Sequence, residues 1–458
     1  MIRKQDILDR AREWQLRPDI VEKDFVLGWL LAAIAQQQET AAHWVFKGGT
    51  CLKKCYFETY RFSEDLDFTL LPEAAYDAPS LTQTLREIVA IAHELSGITF
   101  PEDAVSVVLR RDKLGRDTFQ GKIGYRGPLV TPGTPRILFD LTRHEPVLSE
   151  PEDRPVFHSY PDHLPEGTLV QSYGIEELVA EKTRALLERT RPRDLYDVLF
   201  LIETRGEDID AEGARELFRQ KCEVKGITPP SSEDLLVTVR SSGELRADWE
   251  HMLAHQLPVL PPFETQLVRL GPALRWIDAS PPPTPALPRV SAGTATLAAP
   301  AGATFWGLGV PLEVVRFAGV NRLLVEFTYH DKHRIAEPYS LRRTQAGSLV
   351  LYAWEVGATH IKAFTVAEIR DLRVSTTPFN PRYQVDFSPA GGLSAPAITR
   401  ASSSGSWRGG PSRRRYVFRC GTCQKLFRHT TNDSTLRAHR SPAGWRCSSR
   451  RGHLERTD

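Results

Sequence analysis

The sequence predicts an α+β protein. It reads as a mixed β-sheet with helices over residues 1–265, a small β-barrel over 305–388 and a short metal-stapled ribbon over 413–458. Three observations carry this. Val45 to Lys53 (Val-Phe-Lys-Gly-Gly-Thr-Cys-Leu-Lys) gives the end of a buried strand, a glycine turn and the start of a helix near Thr50, and a second strand follows from Leu66 to Leu70. Residues 323–375 hold short alternating runs with turn residues between them, the pattern of a small all-β unit. The pair Cys420 and Cys423, two residues apart, opens a tail that also holds His439 and Cys447. The Pro/Ala/Gly/Thr stretch at 278–304 and the Gly/Ser/Pro/Ala stretch at 389–412 cannot bury a core and read as linkers.

Composition narrows the class. A chain of 458 residues suggests about two to four domains. There is no apolar run near membrane-spanning length, and the first residues are polar and enter a helix, so a cytoplasmic protein without a membrane partner is expected. Cys51, Cys55 and Cys222 are scattered while Cys420, Cys423 and Cys447 cluster, which is not a disulfide framework. The formal charge of +2 is unevenly spread: residues 401–458 carry 13 Lys/Arg against 3 Asp/Glu, and the first 400 residues sum to −8. A basic tail argues for a nucleic-acid partner at that end, with a solubilising charge run as the alternative.

In chain order, residues 4–16 and 19–36 read as helices, the second amphipathic and strongly apolar, and 81–97 as a third. Extended segments follow at 104–110, 118–125 and 136–141, then helices at 175–190 and from Asp194, and a small helical extension over 206–257. Gly48 and Gly49 let the backbone turn sharply and approach a ligand closely. Backbone amides there, with Thr50, make a cradle for phosphate oxygens. Asp65 and Asp67 are two residues apart, so on a strand both carboxylates point to one face. Paired carboxylates beside such a turn suit a hard cation and a triphosphate. An acidic strand end after an ordinary turn is the bland alternative.

The order Gly-Gly, short helix, Asp-x-Asp resembles the nucleotidyltransferase superfamily, and more narrowly the AbiEii/AbiGii family of toxin nucleotidyltransferases. The resemblance takes in Val21 to Phe25 (Val-Glu-Lys-Asp-Phe) and the stretch from Lys182 to Asp197, and covers roughly residues 1–260. It implies a Mg²⁺- or Mn²⁺-dependent transfer of NMP from an NTP to an acceptor, tRNA being the expected one, and a toxin of an AbiE-like type IV toxin–antitoxin or phage-defence system checked by a cognate antitoxin. Gly48, Gly49, Thr50, Lys53 and Ser63 would meet the nucleotide, and Asp65 and Asp67 the cation. Asp140, within the apolar strand Arg136 to Leu141, stands where the superfamily commonly has a third carboxylate; capping a turn at a strand end is its other reading. Lys182 would steady the phosphates, or be a solvated charge on an amphipathic helix. Asp197, among apolar neighbours, would help the acceptor or metal, and Asp194 would share that role or cap its helix. Two other readings remain: transfer to a protein hydroxyl, and a nucleic-acid-binding regulator with an inert first domain.

The second region is expected to start with a helix over 309–317 and to continue in strands at 323–329, 333–339, 340–344, 349–355, 360–364 and 369–375. It resembles a WYL domain, an Sm/SH3-like barrel, with Leu351 to Trp354 (Leu-Tyr-Ala-Trp) near the place of the defining tripeptide. Arg334, Arg342, Arg343 and Lys362 would be basic contacts, and Tyr352 and Trp354 would stack on bases or fill the core. In the tail, Cys-x2-Cys presents two thiolates to one tetrahedral ion. Fifteen residues separate Cys423 from His439 and seven separate His439 from Cys447. Structural zinc on Cys420, Cys423, His439 and Cys447 is expected, His429 and His453 competing for the fourth place, because so short a module needs a staple.

Overall fold

The computed structural model describes residues 2–278, 312–387 and 416–457, apart from 58–59, 73–75, 112–114, 207, 345–347, 424–425, 430–433, 437–438, 441–445 and 450. Most of both expected linkers, and the first residues of the helix expected from Gly309, lie outside the described residues. The chain divides into two compact units, Met1–Ile398 and Thr399–Asp458.

The first unit opens with α1 (Lys4–Trp14), α2 (Pro18–Gln36) and α3 (Gln38–His43). Proline fits the first turn of α2, where its missing N–H would have had no partner. The amphipathic face expected for α2 is not there. The helix is buried almost all round from Ile20 to Ile34, because it packs among α1, the sheet and a long helix α5 (Ala78–Ser96). A helix buried on every face has no need of a polar stripe.

The sheet has seven strands in the order β3-β4-β5-β2-β1-β7-β6. They are β1 (Trp44–Lys47), β2 (Asp65–Leu70), β3 (Val105–Arg111), β4 (Asp117–Gly124), β5 (Arg136–Thr142), β6 (Glu152–Pro155) and β7 (Leu169–Ser172). β1 runs antiparallel to β2, while β2–β5 and β1–β7 are parallel, so the sheet is mixed as expected. Between β1 and β2, α4 (Gly48–Cys51) begins at the glycine itself rather than near Thr50 and widens into a π-turn over Leu52–Tyr56.

After the sheet come α6 (Ile175–Arg189), α7 (Pro192–Arg205) and α8 (Ala211–Val224). The helical extension continues as α9 (Ser232–Ser241), α10 (Gly243–Ala247), α11 (Trp249–Leu253) and α12 (Phe263–Leu274). α7 starts two residues before Asp194, with Arg191 as its N-cap, so Asp194 lies in the first turn and is not the cap.

The remaining part of this unit is α13 (Leu312–Val320) and a five-stranded antiparallel sheet of β8 (Leu323–Tyr329), β9 (Lys332–Arg343), β10 (Leu349–Glu355), β11 (Lys362–Thr365) and β12 (Ile369–Pro378). The two strands expected at 333–344 are one continuous strand, β9. The order β11-β10-β9-β8-β12 leaves β11 and β12 as free edges, so the expected closed Sm/SH3-like barrel is not formed. β11 offers only four residues, and β12 gives its hydrogen bonds to β8. Arg342, expected as a basic contact, is instead buried and paired with Asp386 at 2.7 Å, while Arg334 and Lys362 both reach Glu355. The side chain of Arg343 lies outside the described residues. Tyr352 and Trp354 join a small cluster with Tyr339 and Phe379, so they add packing mass.

One apolar core runs through both sheets of this unit, and α13 packs against α1 and α7. At that seam Glu203 of α7 accepts hydrogen bonds from Arg269 of α12 (3.0 Å from Nε) and pairs with Arg322 at 3.1 Å. Arg269 also donates to the backbone carbonyl of Asn321 at 3.1 Å. Replacing Glu203 by Ala leaves two guanidinium groups without their shared carboxylate, so a loss on the order of 2–3 kcal/mol in urea unfolding of the full chain is expected. An unchanged midpoint and slope would contradict this.

Candidate active site

Strand register gathers the charged residues. Lys47 of β1 pairs with Asp67 of β2, Asp67 with Asp140 of β5, and Asp140 with Gln120 of β4, so these side chains form one row on one face of the sheet. Asp65 lies two residues before Asp67 on the same face. Asp140 is in mid-strand and exposed, which rules out the turn-capping alternative. The glycine turn is packed directly on this row. Gly48 has φ +80°, and a Cβ there would overlap the Asp67 carboxylate. A Cβ on Gly49 would meet the Arg61 guanidinium and stand 3.1 Å from Ser63 Oγ, so Ser63 joins the turn. The Thr50 hydroxyl donates to the Asp65 backbone carbonyl, pinning the turn to β2. What Thr50 leaves for an oxyanion is its amide, at the start of a helix where amides have no intrahelical acceptor.

The carboxylates crowd one another. Burial and the neighbouring Asp140 push the Asp67 carboxyl up from the ordinary 3.8 to about 6, despite Lys182 and Lys47 nearby. Asp65 is raised by burial and by Glu64, and Asp140 by burial. Three acids raised together form a site short of positive charge, and oxygen-only donors suit a hard cation such as Mg²⁺ or Mn²⁺.

Behind this row lies a buried charge network. Asp197 of α7 is 0% exposed and receives Arg61 in a two-point contact, Nε at 2.6 Å and Nη2 at 2.8 Å. The Tyr60 hydroxyl donates to the same carboxylate, and Lys182 of α6 pairs with it at 2.7 Å. Burial alone would raise the Asp197 carboxyl, but Arg61 and Lys182 hold it well below the usual range. Asp194, also buried, is held by Arg189 at 2.7 and 3.0 Å and stands 3.7 Å from Lys182. Lys182 is itself buried, which excludes the solvated-charge alternative. Both aspartates of α7 therefore grip cations and do not face an open cleft. Lys53, expected at the nucleotide, is buried with its ammonium 5.6 Å from the Trp14 ring and 4.7 Å from the Phe62 ring.

Sequence reasoning missed four cations. Lys47 donates to Thr142 at 2.8 Å and to Glu145, which holds its ammonium charged against burial. Lys23 pairs with Glu64 at 2.7 Å and lies in the field of Asp65. Arg61 is the anchor of Asp197. Arg193, half-buried and beside Asp65, Glu64 and Asp197, is not ion-paired to a carboxylate among the described residues. Each lies inside or next to a motif already singled out, but only register and packing show which way it serves. Elsewhere in that region, Glu22 accepts from the Leu129 amide and Asp24 pairs with Lys54 at 2.7 Å, both buried anchors. In the second unit, Cys420, Cys423 and Cys447 come together, while the side chains of His439 and His429 lie outside the described residues and His453 is exposed.

Because Asp67 is raised in the folded protein, its charged form costs stability. That cost is absent below the ordinary pKa of 3.8 and grows as pH rises through about 6. A divalent cation at the row competes with that proton. Mg²⁺ or Mn²⁺ should therefore raise the Tm of the chain at pH 7.5 and much less at pH 5, and Asp67→Asn should remove most of the difference. A cation effect independent of pH and of Asp67 would contradict the reading.

A family model described as nucleotidyl transferase AbiEii toxin, type IV TA system, matches residues 29–279, more than half of the 458-residue chain. Solved structures similar to it include MenT4, a nucleotidyltransferase toxin from Mycobacterium tuberculosis H37Rv. The match has 21% identity over 60% of this chain and 89% of that one, with a TM-score of 0.38. No curated protein matches the sequence. The glycine turn, the Asp65/Asp67 strand and the Lys182–Asp197 network all fall within the matched span, and the chain belongs to the AbiEii family of type IV toxin–antitoxin nucleotidyltransferases.

Proposed function

We propose that the chain transfers a nucleoside monophosphate from an NTP to a hydroxyl of RNA, with tRNA as the acceptor, in the cytoplasm and under the control of a cognate antitoxin and in the service of phage defence. The observation that carries the chemistry is the row of Asp65, Asp67 and Asp140 against the Gly48–Gly49 turn. The acceptor oxygen forms a bond to the α-phosphorus, the bond to the β-phosphate oxygen breaks, and pyrophosphate leaves. Mg²⁺ or Mn²⁺ held by Asp65 and Asp67 supplies charge neutralisation to the phosphates. Gly48 and Gly49 allow the triphosphate to lie close to the backbone, with Ser63 beside it. Asp140, the exposed member of the row, takes the proton of the acceptor hydroxyl or shares the cation. Asp197 and Asp194 hold Lys182 where its charge reaches Asp67. Arg193 takes a phosphate, because it is a cation beside Asp65 with no ion-paired carboxylate among the described residues.

The basic balance of the tail supports a polyanionic acceptor. In the second sheet, a cleft of about 400 Å³ lined by Tyr329, Arg334, Glu355, His360, Lys362 and Phe364 supports the WYL-like reading of that region as a ligand sensor.

The double variant Asp65→Ala, Asp67→Ala should abolish transfer and toxicity while keeping the circular dichroism of the parent; retained turnover would sink the mechanism. Arg193→Ala should lower kcat/KM for NTP by about 100-fold, on the order of 2.7 kcal/mol, with Arg193→Lys in between. Incubation with α-³²P-NTPs, total RNA and total protein identifies the acceptor. Label in a tRNA-sized band supports the proposal, and label in protein replaces RNA by a protein hydroxyl.

A further inference from the structure

The second unit, Thr399–Asp458, lies beyond the span matched by the family model. Its described strands are β13 (Tyr416–Cys420), β14 (Leu426–His429), β15 (His439–Arg440), β16 (Arg446–Cys447) and β17 (Gly452–Thr457). They form a three-stranded sheet, β14-β13-β17, and a two-stranded ribbon, β15–β16.

We propose that this unit holds one zinc ion on the thiolates of Cys420, Cys423 and Cys447, with His439 as fourth ligand, and that the ion is what keeps the unit folded. Cys420 ends β13, Cys423 closes the turn directly after it, and Cys447 ends β16, so two separate backbone segments deliver three sulfurs to one place. The three sulfurs lie within 4.8 Å of one another and all three residues are buried. Cys420 Sγ and Cys447 Sγ are 3.7 Å apart. Tetrahedral bonds of about 2.3 Å put neighbouring sulfurs about 3.8 Å apart, whereas a disulfide needs about 2.05 Å. The spacing is that of two ligands of one ion, and none of the cysteines is in a disulfide.

The energetics agree. Among the described residues, the core cluster of this unit is Phe418, Cys420, Cys423, Leu436 and Cys447, with Phe427 against it. Three of these five residues are cysteines, and in a unit this short a metal supplies stability that a small apolar cluster does not. The soft donor set favours zinc over the hard cation of the aspartate row.

For the fourth ligand, backbone register adds to the sequence spacing. The backbone of His439 in β15 pairs in register with Cys447 of β16. His453 is the rival. Its Nε2 would stand 3.2 Å from a Cβ on Gly421, over the Cys-x2-Cys turn, yet it is not among the donors within 4.8 Å of all three sulfurs.

The test uses the full-length chain. Purified protein, desalted against a weak chelator, should contain about one zinc per chain by mass spectrometry of metals. Replacing zinc by Co²⁺ should give the visible spectrum of a tetrahedral thiolate site. Cys420→Ser, Cys423→Ser and Cys447→Ser should each weaken zinc binding by at least about 100-fold. Because such variants lose the fold of the tail, the wild-type cobalt spectrum decides independently. An octahedral spectrum, zinc far below one per chain after reconstitution, or a Cys420–Cys447 disulfide in protein handled with reductant would overturn the site. Zinc loss in His439→Ala but not His453→Ala supports the assigned fourth ligand, and the reverse replaces it. Asp65→Ala with Asp67→Ala should leave zinc content unchanged, so failure of the transferase reading and failure of this one are separable.

Discussion

The site depends on the buried carboxylate of Asp197. A fully buried acid is costly unless its charge is answered, and here two cations and a phenol answer it. Each partner comes from a different part of the chain. Arg61 and Tyr60 belong to the loop before β2, Lys182 to α6, and Asp197 itself to α7. One interaction therefore fixes the loop that packs on Gly49, the helix that brings Lys182 toward Asp67, and the helix that carries Arg193. Arg61 matters beyond its charge, since its fork meets both carboxylate oxygens and leaves it one orientation.

Charge is unbalanced along the carboxylate row that Lys182 also reaches. Around Asp197 every acid has its cation, and its carboxyl is held low. Along the Asp65, Asp67 and Asp140 row, acids face acids and their carboxyls are raised. The contrast between a neutralised interior and a strained row at the sheet surface separates scaffold from reacting edge, as perturbed acids in a cleft generally mark functional sites. The second sheet is tied into this arrangement through Glu203, because α7 carries Asp197 on one side and the Glu203 seam on another.

The reading of α7 shows where sequence patterns stop. Two aspartates three residues apart on a helix suggest a pair acting together toward a ligand. In the fold they turn to different cations, Arg189 and Arg61, and meet only at Lys182. The same limit appears at Lys53, whose neighbours Trp14 and Phe62 are distant or separated in sequence. The apolar run of α2 announced a helix, but whether one face or all of it is buried depends on how many elements surround it.

The sequence by itself determined the mixed α+β class, the strand–glycine turn–strand order, the facing of Asp65 and Asp67, and the cysteines that converge in the tail. These follow from local rules: glycine tolerates what other residues do not, side chains alternate along a strand, and Cys-x2-Cys fits one turn. Only the tertiary structure decided that Asp140 stands beside Asp67, that Asp194 and Asp197 bind Arg189, Arg61 and Lys182, that Arg193 has no ion-paired carboxylate among the described residues, and that the second sheet stays open. Those outcomes rest on register and burial between segments far apart in the chain, and no local pattern encodes which partner a buried charge will find.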